Sequence, residues 1–109
     1  MVQSTLPEEI DSELALARES MIEGNEGKAR VCARRAVAKA FLLSSFSKGV
    51  ERSISAMESL RIISRLETLP EQVRDAARNL SVGVTENRPM SRQPADDASL
   101  IVKTLLGSQ

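Results

Sequence analysis

The sequence predicts an all-α, up-and-down bundle of about five helices. Three observations carry this. Aromatic residues are almost absent from the 109-residue chain (two Phe, no Trp, no Tyr), so the core must be built from aliphatic residues and alanine, whereas strands favour aromatic and β-branched ones. The apolar positions recur at three- and four-residue steps, the helical period. Helix-breaking residues divide these stretches at regular places. Hydrophobic residues make up 41% and charged residues 28%, a globular balance, and the length fits one domain over residues 1–109.

The first helix has clear start signals. Ser4 and Thr5 are candidate caps, Pro7 suits the first helical position, and Glu8, Glu9 and Asp11 complement the positive end of the dipole. Ile10, Leu14, Ala17 and Met21 form its apolar stripe, and Gly24 ends it. Asn25 caps the second helix, placed at about 26–46. At 100° per residue, Ala29, Ala33, Ala36 and Ala40 fall within an arc of about 60°. This is a seam of small side chains that lets a second helix approach closely, and it makes this helix the expected centre, with its basic side chains snorkelling outward. Ser44, Ser45, Ser47 and Gly49 predict a break. The third helix is placed at about 50–68, with Val50, Ile54, Met57, Leu60, Ile62, Ile63 and Leu66 spread around much of its circumference. Such a helix is expected to be covered on more than one side, by the bundle and by a second subunit. Thr68-Leu69-Pro70-Glu71 reads as a stop and a restart, with a fourth helix at about 70–80. Residues 81–94, with Gly83, Asn87, Pro89, Ser91 and Pro94, read as a long loop. A fifth helix begins near Ala95, carries Asp96 and Asp97 in its first turn and ends at Gly107.

Composition excludes several kinds of chemistry. There is no histidine, which removes histidine acid–base work, histidine metal sites and the Ser-His-Asp triad. The single cysteine, Cys32, can form no disulfide within the chain and reads as a buried thiol in an alanine-rich stretch. A zinc site lacks its Cys and His ligands, and neither the P-loop nor the dinucleotide fingerprint occurs, so no cofactor or metal is expected. No apolar run approaches the roughly 18 residues of a membrane span. The acidic start MVQSTLPEEID lacks a signal-peptide core, so the expected compartment is the cytoplasm.

Net charge is zero but unevenly distributed. Residues 1–27 hold seven acids and one base, and residues 28–52 hold seven bases and one acid. Pairing between the first two helices accounts for this without a ligand. Gly24-x-x-Gly27 has the spacing of a nucleic-acid-clamping GXXG loop. Glu26 within it would repel phosphate, however, and a stop plus a tight turn accounts for both glycines. Carboxylate neighbours such as Glu8/Glu9 and Asp96/Asp97 sit at helix starts, where the dipole explains them.

Two regions together resemble a known family. LALARESMIEGNEGKARVCARRAVAKAFLL resembles the first helical hairpin of HEPN-domain proteins, and LPEQVRDAARNL, the ENRP stretch and ADDASLIVKTLL resemble their short helix, loop and final helix. The family's Arg-Tyr-Pro loop reads Asn87-Arg88-Pro89 here, without the tyrosine. The resemblance implies a helical bundle that often dimerises. The catalytic Arg-x4-6-His motif of the family's ribonucleases is ruled out by the lack of histidine. It therefore implies a non-catalytic member that partners a nucleotidyltransferase or acts in a toxin–antitoxin system.

The expected function is a non-catalytic interaction module, a homodimer with a protein partner. The alternative is a nucleotide- or nucleic-acid-binding regulator using Arg30, Arg34, Arg35 and Arg88, with Arg92 as a further loop cation. The two readings differ on whether the arginines of the second helix pair with acids of the first or stand free around a pocket.

Overall fold

A computed structural model describes residues 6–50, 54–82 and 93–107. These residues form five α-helices: α1 (Leu6–Ile22), α2 (Glu26–Leu43), α3 (Ala56–Ser64), α4 (Glu71–Ser81) and α5 (Pro94–Gly107). A short 3-10 turn, Ser45–Ser47, follows α2, and there is no strand among the described residues. The all-α bundle is the expected one. Its arrangement is a hairpin of α1 and α2, a second pair of α3 and α4, and α5 laid against α2, α4 and α1.

The turn between α1 and α2 is built from hydrogen bonds that each residue type makes possible. Gly24 takes φ +84°, the left-handed conformation that favours glycine. Its N–H donates to the Met21 carbonyl at 3.0 Å, and the Asn25 N–H donates to the Ser20 carbonyl at 2.8 Å. This is a Schellman stop. Asn25 then serves the next helix, its side-chain oxygen accepting from the Lys28 N–H at 3.1 Å. Gly27 lies within the first turn of α2 and not in the loop.

As expected from the alanine seam, α2 is central and touches each of the other four helices. Ala29, Ala33, Ala36 and Ala40 have no exposed surface, and Phe41 is wholly enclosed. α1 and α5 of the same chain fill the seam, so it leaves no opening for a second subunit. Leu60 and Ile63 of α3, Val73, Ala76, Ala77 and Leu80 of α4, and Ile101 and Leu105 of α5 complete the core. Each large side chain among them contributes about 1.5–3 kcal/mol by leaving water.

Two helices differ from expectation in their bounds. α2 ends at Leu43, before the predicted 46, because Ser44 turns to extended geometry and its hydroxyl caps the Phe41 carbonyl at 2.7 Å. α3 is only nine residues, 56–64, against a predicted 50–68. Ser55 starts it by accepting from the Glu58 N–H at 3.1 Å, and the Ser-x-x-Glu spacing was a local signal for that start. With α3 so short, Met57, Ile62 and Leu66 are half-buried against the core, and Val50 and Ile54 reach it from outside the helix.

Candidate functional site

The expected site residues of α2 separate into two groups. Arg30 and Arg34 are one helical turn apart and so share a face; Arg35 is turned about 100° away. The shared face meets the C-terminal end of α4. There, Arg30 is only 7% exposed, and its Nη1 donates to the Asn79 carbonyl at 3.0 Å and the Val82 carbonyl at 3.2 Å. Its Nε faces Glu26, one turn earlier in α2, at 3.3 Å. Arg34 donates from Nε to the Leu80 carbonyl at 2.7 Å and from Nη2 to the Val82 carbonyl at 3.1 Å. Two guanidinium groups thus close on the last carbonyls of α4.

The physical reason is general. The final carbonyls of a helix have no partner within it, and they form the negative end of its dipole. Val82, which follows α4, has extended backbone (φ −83°, ψ 138°) and does not itself supply a left-handed cap. Cations delivered from a neighbouring helix satisfy these carbonyls with charge-assisted hydrogen bonds. Burial first, and the adjacent Arg30 charge second, push the Arg34 guanidinium below its ordinary value. A polar bridge continues to α5, where the Asn79 side-chain amide donates to the carboxylate of Asp97, only 3% exposed, in that helix's first turn. α2, α4 and α5 are therefore tied at one point.

This arrangement answers the question of the basic stretch with neither expected outcome. Arg30 and Arg34 are not paired with α1 acids, and their side chains do not snorkel to solvent. Among the described bases of α2, the one paired with α1 is Lys39, with Glu13 at 3.3 Å and Glu9 at 4.0 Å. A phosphate would have to compete with three carbonyls for the two arginines. Arg35 is exposed and makes no ion pair or hydrogen bond with another described residue. Arg88 and Arg92, with Asn87 and Pro89, lie outside the described residues.

A cleft of about 300 Å³ opens where Lys39 meets α1, lined by Glu8, Glu9, Ser12, Glu13 and Lys39. Cys32 lies beneath this edge and is 3% exposed. Burial and then the Glu13 charge raise its thiol pKa, against smaller lowering by Arg35 and Lys28. A buried, protonated thiol is a poor nucleophile. No group of three or more Cys, Asp or Glu side chains suited to a metal ion occurs among the described residues, and no helix there is long and apolar enough to cross a membrane.

The joint role of Asn79 and Asp97 carries no mark in the sequence, where Asp97 is accounted for by the helix dipole, because it depends on three helices meeting. The available signal was the i,i+4 spacing of Arg30 and Arg34, which marks a shared face but not what that face meets. The chain matches no family model, no curated protein and no solved structure.

Proposed function

We propose that the chain is a non-catalytic helical interaction module that acts as a homodimer and takes a protein as its partner. The observation that carries this reading is the use of Arg30 and Arg34 within the fold. The cations best placed for a phosphate ligand are bonded to α4, while Leu16, Ile22, Val31, Leu43 and Leu100 are left on the surface, Ile22 with 86% of its area exposed. The HEPN resemblance adds the kind of partner: a nucleotidyltransferase, or the opposite member of a toxin–antitoxin pair. Light scattering at micromolar concentration should give twice the chain mass of 11.9 kDa. Fluorescence anisotropy with short RNA and DNA at low salt, where phosphate contacts count most, should stay flat. A monomer, or a saturable anisotropy rise that salt abolishes, would overturn the proposal.

A further inference from the structure

The outward face of the α1–α2 hairpin carries two charge rows of opposite sign. The Lys39–Glu13 contact fixes how the two helices are turned relative to each other. Measured from Lys39 at 100° per residue, Lys28, Arg35 and Val31 fall within about 80° on the side away from the buried alanines. Measured from Glu13 in the same way, Leu16, Glu23 and Glu19 fall within about 120° on the side away from Ile10, Leu14 and Ala17. All six are exposed, Leu16 by 40% and Val31 by 41%. Lys28 bonds only through its backbone, to Asn25, and neither its ammonium nor Arg35, Glu19 or Glu23 makes an ion pair with another described residue. One row is acidic and the other basic, with an apolar residue in each.

We infer that a second copy of this chain docks on this face, hairpin on hairpin, with Glu19 and Glu23 of each copy set against Lys28 and Arg35 of the other. The inference rests on the homodimer reading above and names its surface. A two-fold axis along the groove between α1 and α2 lays α1 of each copy over α2 of the other, so every acidic row meets a basic row. The same operation places Leu16 and Val31 within the contact. Helices of 17 and 18 residues, side by side, present a face of about 26 by 18 Å. That is toward the small end of specific interfaces, in keeping with a micromolar dimer that salt weakens.

Charge reversal tests this directly. Sedimentation equilibrium is run on the unaltered chain, on Glu19→Lys/Glu23→Lys, on Lys28→Glu/Arg35→Glu, and on an equimolar mixture of the two variants. Far-UV circular dichroism checks that each is folded. Each variant alone should dimerise at least tenfold more weakly than the unaltered chain. The mixture should recover a dimer, because one face is then wholly basic and the other wholly acidic. If both folded variants dimerise like the unaltered chain, or the mixture gains nothing, the face is wrong while the homodimer stands. If the unaltered chain is a monomer, both readings fall.

Discussion

Replacing Arg30 by methionine removes the guanidinium while retaining most of the apolar stem. The change takes away the donors to the Asn79 and Val82 carbonyls at 3.0 and 3.2 Å and the contact with Glu26 at 3.3 Å. Hydrogen bonds involving a charged group contribute roughly 1.5–3 kcal/mol each. The Val82 carbonyl keeps its bond from Arg34 at 3.1 Å and the Asn79 carbonyl keeps its bond from the Val82 N–H at 3.4 Å, so neither is left bare and the loss is about that of one charge-assisted bond. The expected loss is about 1.5–3 kcal/mol. For a domain of this size each kcal/mol lowers Tm by about 4–5 °C, giving a drop of about 10 °C. Arg34→Met should cost a similar amount. Arg35→Met, on the same helix but exposed, should stay within about 0.5 kcal/mol of the unaltered chain. With no Trp or Tyr for fluorescence, urea unfolding is followed by circular dichroism at 222 nm. Near-neutral results at Arg30 and Arg34, or an equal loss at Arg35, would refute the capping role.

Three further outcomes are expected. Gly24→Ala should cost about 1–2 kcal/mol through backbone strain alone, because an added Cβ meets nothing there; Gly27→Ala, whose Cβ would only touch Asn25 Oδ1 at 3.9 Å, should instead stabilise α2 by about 0.5–1 kcal/mol, and urea midpoints shifting in opposite directions would show it. Ser55→Ala removes the acceptor for the Glu58 N–H and should cost about 1 kcal/mol by the same assay. The raised Cys32 thiol keeps its proton at a pH where the unfolded chain's thiol, near 8.5, has lost it. Its contribution to stability is therefore intact below that value and is lost as pH rises through the folded value. Cys32→Ala should show a shallower loss of stability as pH rises above about 8.5, and equal slopes in the two proteins would count against the burial argument.

What could be read in the chain followed the range of the interaction. The α1 stop and α2 start are set by Gly24 and Asn25 bonding to residues at most five positions away, and the sequence analysis placed both. The α3 boundaries were missed because the apolar spacing of Val50, Ile54 and Leu66 continues past the helix; these residues meet the core from outside any helix, where periodicity carries no meaning. The roles of Arg30 and Arg34 were out of reach for a different reason. Their partners lie 46 to 52 residues away and are backbone carbonyls, which every residue possesses and no sequence pattern marks. Opposite charge in α1 was the visible local explanation, and among the described bases of α2 it is Lys39 that follows it.

The point where α2, α4 and α5 are tied also sets a boundary condition on the chain. Val82 is held by Arg30 and Arg34, and Asp97 is held by Asn79. The end of α4 and the first turn of α5 are thus held to one patch of the bundle through Arg30, Arg34 and Asn79. Opening of α2 would therefore release α4 and α5 with it, so the amide protons of these three helices should exchange as one cooperative unit.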